Sequence, residues 1–324
     1  MNRFAIILAA GKGSRMKSLR EDISKVSFPI LNVPLVKYVL LALEPLKCDK
    51  IVSVVGFGGK TSEAIVKDES EVVWQKELKG SGHAVMMAAP KLENMEGTTI
   101  ICCGDTPLLK TETLQAMFEY HEKSKNDLTV MTSIQEDPFG YGRIVKDING
   151  NVLKIVEQKD ANEAEKNIKE VNAGVYLFDN QKLFESLKKI TNTNASGEYY
   201  LTDTIGIFVN SGYKVSSFTI ADDEETLGVN DRWQLARAAK IMQLRINKKL
   251  ALSGVSIDDP YNTYISPLAE IMPDVVIHPN SFVYGNSKIS KNAIIEPNTY
   301  LENVIVGQDV VVESGTYKDC KIDK

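Results

Sequence analysis

The chain opens on an apolar run, Phe4-Ala5-Ile6-Ile7-Leu8-Ala9-Ala10, that stops abruptly at Gly11-Lys12-Gly13-Ser14-Arg15-Met16. An apolar run without alternation predicts a strand buried on both faces, as at the centre of a parallel sheet. Further candidate strands lie at 51–55, 71–74, 99–103, 128–134 and 173–178, alongside the first at 4–10. Between the first two, Leu35, Val36, Val39, Leu40 and Leu43 share one helical face, and Pro45 ends that helix. Strands alternating with helical stretches through about residue 230 predict an α/β domain with a mainly parallel sheet. The charged stretch from Asp160 to Glu170 reads as a solvated surface excursion, and residues 230–250 read as a connecting helix.

The pattern then changes period. Ile277, Val283, Ile289, Ile295 and Leu301 are spaced by six, Val306 follows after five and Val312 after six. Such a ladder predicts a left-handed parallel β-helix, in which each aliphatic residue fills the interior at the same place on successive faces of a triangular coil. The expected organisation is thus a first domain at 1–230, a connecting helix at 231–252 and a short or truncated β-helix at 253–324. A helix of so few coils has an open end that needs a cap, a partner chain or further residues.

Composition narrows the class. With 324 residues, 43% hydrophobic and 25% charged, the chain is long enough for two domains and does not have a disordered composition. A net charge of −5 gives no electrostatic reason to expect nucleic acid or an anionic membrane as partner. No stretch approaches the roughly 20 apolar residues of a membrane span, and the N-terminal run lacks a cleavage-site pattern, so a cytoplasmic location is expected. Cys48, Cys102, Cys103 and Cys320 show no C-x-x-C spacing and read as reduced core residues. His83, His121 and His278 are scattered, which supports neither a zinc site nor a histidine-based triad.

The candidate chemistry begins at the first loop. Gly11 and Gly13 let backbone N–H groups approach an anion, and Lys12 and Arg15 can neutralise it, so a phosphorylated ligand is expected. No third glycine follows at dinucleotide-fold spacing, and no Gly-Lys-Ser/Thr closes the loop, which disfavours an NAD-dependent oxidoreductase and a P-loop NTPase. Asp105 follows strand 99–103, at the strand end where open α/β sheets bind ligands, and its carboxylate suits Mg²⁺. Lys25 can neutralise charge growing on a phosphoryl group. The Gln75 amide both donates and accepts, as the edge of a base requires.

The segment from Leu8 to Met16 resembles the LAAGxGTRM signature of the sugar nucleotidyltransferases, with Ser14 at the Thr position. Later segments resemble one branch of them in order: Gly80-Ser81-Gly82-His83-Ala84, Tyr141-Gly142-Arg143-Ile144, Ile155 to Ala161, Asn172-Ala173-Gly174-Val175, Asn194 to Asp203 and Gly228-Val229-Asn230-Asp231. That branch is the N-acetylglucosamine-1-phosphate uridylyltransferases, the GlmU-type bifunctional enzymes of bacterial cell-wall precursor synthesis, and the resemblance covers essentially the whole chain. It implies a nucleotide-diphospho-sugar transferase (Rossmann-like) domain followed by the first coils of a left-handed parallel β-helix. The implied reaction is Mg²⁺-dependent uridylyl transfer from UTP to N-acetylglucosamine 1-phosphate, giving UDP-N-acetylglucosamine and pyrophosphate.

By the same resemblance, Arg15 and Lys25 are catalytic, and Asp105 and Asn230 hold Mg²⁺. Leu8, Ala9, Ala10, Gly11, Gly13, Gln75, Gly80 and Ser81 bind UTP, and Gly142, Glu157, Asn172 and Tyr199 bind the sugar. Three departures stand out: Ser24 precedes Lys25 where the family has proline, the stretch from Met16 to Lys25 is longer, and Leu78 replaces a second glutamine. The family's acetyl transfer to glucosamine 1-phosphate resides in later coils and is not expected from this chain. Members with a β-helix form trimers, so a homotrimer is among the expectations. The competing readings are a related sugar-1-phosphate nucleotidyltransferase using glucose 1-phosphate or another NTP, and a non-catalytic sugar-nucleotide-sensing paralogue. Intact Arg15, Lys25, Asp105 and Asn230 argue against the second.

Overall fold

The computed structural model describes residues 2–323. Its first strand, β1 (Arg3–Ala9), sends Phe4 and Ile6 to one face of a sheet and Ala5, Ile7 and Ala9 to the other. All five are at most 1% exposed, which is why the run does not alternate. The chain divides into two compact units, one of residues up to Phe28 with Leu35–Asp231, the other of Pro29–Pro34 with residues from Arg232 onward. Nothing in the sequence pattern marks residues 29–34 as part of the second.

In the first unit β1 is joined by β2 (Lys50–Val55), β3 (Glu71–Trp74), β4 (Thr98–Cys103), β5 (Leu128–Ile134), β6 (Arg143–Lys146), β7 (Val152–Val156), β8 (Glu170–Asp179) and β9 (Val215–Thr219). The order is β9-β5-β8-β4-β1-β2-β3, with β6 and β7 branching from β8. The ladder is parallel except at β8, which runs antiparallel to both β4 and β5, so the sheet is mainly parallel as expected. Helices α1 (Leu35–Leu43) and α2 (Gly59–Val66), then α3 (Ser81–Met86), α4 (Thr111–Ser124), α5 (Asn180–Leu187) and α6 (Asp203–Asn210) connect the strands. Two apolar clusters cover the sheet, α3, α5 and α6 belonging to one and α1 and α4 to the other.

All six expected strands form, and β6, β7 and β9 were not foreseen because sequences such as Val-Ser-Ser-Phe-Thr carry too little apolar pattern. The charged stretch at 160–170 is more structured than a solvated excursion. Asn162 and Glu165 form a reciprocal cap on the single-turn helix Glu163–Lys166, and Glu170 already belongs to β8. Not all cysteines are core residues: Cys102 is buried, but Cys320 lies exposed between two short strands, and Cys103 lines a cavity.

The second unit contains α7 (Arg232–Leu252) and three parallel ladders. One aligns Ile257, Ile277, Ile295 and Val312, the next Ile265, Val283, Leu301 and Tyr317, the third Ile271, Ile289, Val306 and Ile322. The seven residues of the period-six series are each at most 1% exposed, in the three-faced coil of a left-handed β-helix. Asp274, Asn280, Asn292, Asn298, Asn303 and Asp309 turn the corners with φ between 54° and 63°, a region that asparagine and aspartate tolerate best after glycine. On α7, Gln243 and Asn247 are buried and donate side-chain N–H groups to the Pro260 and Thr263 carbonyls. No described helix is long and apolar enough to cross a membrane.

Candidate active site

The carboxyl ends of β1 and β4 open into a cavity of about 440 Å³. Leu8, Ala10, Gly11, Gly13, Lys25, Gln75, Gly80, Ser81 and Asp105 line it, whereas Ala9 is turned into the core. Beyond β1 the chain passes through Gly13 at φ 62° into a single 3₁₀ turn, Ser14–Met16. A side chain at Gly13 would meet Lys25 Cβ at 2.5 Å, so glycine is required both by φ and by the closeness of Lys25. The backbone N–H groups of Gly11, Lys12, Gly13 and Ser14 find no acceptor among the described residues, which leaves a row of donors for an anion.

Four side chains named from the sequence meet at this edge. The Lys25 ammonium pairs with the Asp105 carboxylate and donates to Asn230 Oδ1 at 2.9 Å, and Arg15 Nη2 donates to the same oxygen at 2.9 Å. Asp105 is fixed by the strand it follows, since Gly104 N–H donates to the Leu8 carbonyl, and the Asp105 carbonyl accepts from Val229 N–H at 2.9 Å. That last bond brings Asn230, more than a hundred residues away, beside the aspartate. Lys25 is fixed from behind, where the fully buried Ser24 hydroxyl bonds those of Ser62 on α2 at 2.6 Å and Ser27 at 2.9 Å. Serine in the proline position thus anchors the lysine, while the longer stretch before it stays exposed around Leu19 and the Arg20–Asp22 pair.

On the other side of the cavity Gln75 follows β3, 3% exposed, with its backbone N–H on the Val55 carbonyl. Its Nε2 donates to the Gly80 carbonyl and approaches His83 Nδ1, both at 3.0 Å. Gly80 has φ 105° and no room for a side chain, because a Cβ would meet the Tyr199 carbonyl at 2.5 Å. The Ser81 hydroxyl, in the first turn of α3, accepts from Leu201 N–H at 3.0 Å.

The sugar-side candidates follow from the direction of β8. An antiparallel strand begins where its parallel neighbours end, and the register Tyr176↔Ile101 continues to Gly174 beside Cys103, whose thiol donates to the Gly174 carbonyl at 3.7 Å. Asn172 therefore reaches the same edge as Asp105. Its N–H donates to the Gly142 carbonyl at 2.9 Å, and a side chain at Gly142 would lie 3.5 Å from both Asn172 Cβ and Glu157 Oε1. Glu157 accepts from the Thr202 hydroxyl at 3.0 Å, and burial raises its carboxyl above the ordinary glutamate value. Tyr199 does not join these three. Its backbone braces the 79–82 turn and its ring lies 6.4 Å from that of His83.

The sequence model of the nucleotidyl transferase family matches residues 4–234. The chain belongs to that family. It is 44% identical to the bifunctional protein GlmU of Streptococcus gordonii over 322 residues, covering 99% of this chain and 70% of that protein. It is 48% identical to that of a Geobacillus species over 279 residues (86% and 60%), and 44% identical to that of Streptococcus mutans over 324 residues (100% and 70%). The chain thus spans 60 to 70% of the length of these relatives.

In this nucleotidyl transferase, sequence reasoning missed Ser62, Cys103, Thr202 and the part His83 plays. His83 and Thr202 lay within motifs already singled out, whereas Ser62 and Cys103 become visible only through tertiary contact. Cys103 stays a thiol, pushed up to about 12 by burial and by Asp105 nearby, so it offers no thiolate to a ligand.

Proposed function

We propose that the chain catalyses Mg²⁺-dependent uridylyl transfer from UTP to N-acetylglucosamine 1-phosphate, giving UDP-N-acetylglucosamine and pyrophosphate. The observation that carries this reading is the convergence of Lys25, Arg15, Asp105 and Asn230 beside a row of unpaired backbone N–H groups. An oxygen of the sugar phosphate attacks the α-phosphorus of UTP, and the bond to the β-phosphate oxygen breaks. The nucleophile is already ionised, so alignment and charge neutralisation suffice and no general base is needed.

The residues fit the metal. A carboxylate oxygen and an amide oxygen converge on one cationic group, the Lys25 ammonium, and such hard oxygen donors suit Mg²⁺. Among the described residues no cluster of three or more His, Cys, Asp or Glu forms a richer site, and Mg²⁺ takes its remaining ligands from phosphates and water. When bound by Asp105 and Asn230 it supplies charge neutralisation between the two substrates. Lys25 and Arg15 then neutralise the departing pyrophosphate, the 11–14 amides hold the triphosphate, and Gln75 with Gly80 reads uracil. Gly142, Glu157 and Asn172 hold the sugar hydroxyls and acetamido group.

The test is pyrophosphate release with Mg²⁺ and UTP, comparing N-acetylglucosamine 1-phosphate with glucose 1-phosphate and glucosamine 1-phosphate. Selective turnover of the N-acetylated sugar is expected. Preference for glucose 1-phosphate would transfer the assignment to that acceptor, and no release by folded protein would refute the reading.

A further inference from the structure

His83 has no place in the reaction as written, yet it touches the residue that reads the base. The Gly80 carbonyl can only accept, so the Gln75 atom 3.0 Å from it is the NH₂ group, and the orientation of the amide is fixed. That same nitrogen lies 3.0 Å from His83 Nδ1. Its second proton points to the ring, so Nδ1 must be the acceptor and the ring's own proton resides on Nε2. Both amide donors are then spent, and the Gln75 oxygen, which meets no donor of the chain among the described residues, is the group left for a ligand in the cavity that Gln75 lines.

We propose that His83 is a positioning residue: as a neutral imidazole protonated on Nε2, it holds Gln75 so that the amide shows the base only its oxygen, which selects uracil over cytosine. Uracil offers N3–H at the middle of its pairing edge, a donor for that oxygen. Cytosine offers a bare N3, and two acceptors facing each other leave both unsatisfied in a site where desolvation makes that costly. The inference rests on the uridylyl-transfer reading and deepens it. It also accounts for selectivity with Leu78 in place of a second glutamine, because one amide with its donors tied back discriminates as a single acceptor.

The surroundings favour the neutral ring. Burial and the Lys79 ammonium lower the His83 pKa, in that order, against the smaller opposing pull of Glu77. The other polar or charged groups near it are Tyr199, and Glu93 and Lys188 across a second cavity of about 580 Å³ that His83 also lines. Once protonated, Nδ1 becomes a donor, the NH₂ group can no longer face it, and the acceptor display is lost.

The test compares kcat/KM for UTP and CTP, with Mg²⁺ and N-acetylglucosamine 1-phosphate, in the wild type, His83→Ala and His83→Asn. Asparagine places its side-chain oxygen close to where Nδ1 stood but does not titrate. At about pH 8 the UTP-over-CTP preference should fall about tenfold in His83→Ala and be retained in His83→Asn. In the wild type it should fall as the ring takes up its second proton, followed by ¹⁵N shifts that report the Nε2–H tautomer at high pH. An Nδ1–H tautomer, an unchanged preference in His83→Ala, or a preference that holds while the ring titrates overturns the proposal. If the wild type turns over no nucleotide, the transfer reading has failed, and calorimetric binding of UMP against CMP to the same three proteins decides the His83 inference by the same criteria.

Discussion

Lys25 and Asp105 form an ion pair at the carboxyl edge of β1 and β4, each side chain less than a fifth exposed, and Asn230 closes the group from a third segment. The lysine ammonium therefore stands where the aspartate and asparagine oxygens would hold a cation. On the proposed reading, metal and nucleotide would compete with this internal arrangement together, because the phosphates would offer Lys25 a new partner as Asp105 receives another.

Removing the carboxylate should disable the site and spare the fold. Asp105→Ala is expected to lower kcat for pyrophosphate release by about a thousandfold, with a melting temperature within about 3 °C of the wild type. Near-normal kcat in a folded variant refutes a metal-holding role for Asp105.

Lys25 gives effects of opposite sign. In Lys25→Ala the internal cation is gone, so Mn²⁺ should bind the nucleotide-free protein about tenfold more tightly by electron paramagnetic resonance, while turnover falls about a thousandfold. Weaker or unchanged Mn²⁺ binding is the result that contradicts competition between lysine and metal.

On the proposed reading, Glu157 would set stability against sugar recognition. Its carboxyl is raised above 4.5 chiefly by burial, so the folded chain holds this proton more tightly than the unfolded chain. That contribution favours the fold below the ordinary value and is lost as pH rises through the raised one, leaving a buried charge that weighs against folding at neutral pH. Glu157→Gln should raise the melting temperature by about 2 °C at pH ~7, with the gain vanishing near pH ~4. The KM for the sugar phosphate should rise about tenfold. A gain independent of pH, or an unchanged KM, is the contrary outcome.

The β-helix interior offers a simpler measurement. Leu301 is fully buried between Val283 and Tyr317 on its ladder, and Leu301→Ala should cost about 3 kcal/mol through lost burial and an unfilled cavity. Hydrogen exchange of the 282–302 amides reads this directly, and protection equal to the wild type argues against a close-packed interior.

Much of this was legible in the chain because burial on two faces and on a triangular coil leaves distinct periodicities. The run at 4–10 and the ladder from Ile277 to Val312 are each a consequence of packing written in residue order. Direction is not written that way: the apolar run at 173–178 gives no sign that β8 is antiparallel, and so no sign that Asn172 and Asp105 share an edge. The glycine loop, Lys25, Asp105 and Asn230 were legible as a set only through resemblance, since the bond from Val229 to the Asp105 carbonyl is tertiary. Tyr199 shows the limit, for the motif that holds it gives no sign that its ring turns toward His83.

The contact between Gly13 and the stem of Lys25 has a mechanical consequence. Gly13 lies so close to the lysine Cβ that a loop pressed toward it by a triphosphate on the 11–14 amides would have to carry the lysine along. On the reading proposed above, nucleotide entry and release of Asp105 would be one displacement, and no separate latch would be needed to keep the proposed metal ligands closed until a nucleotide arrives.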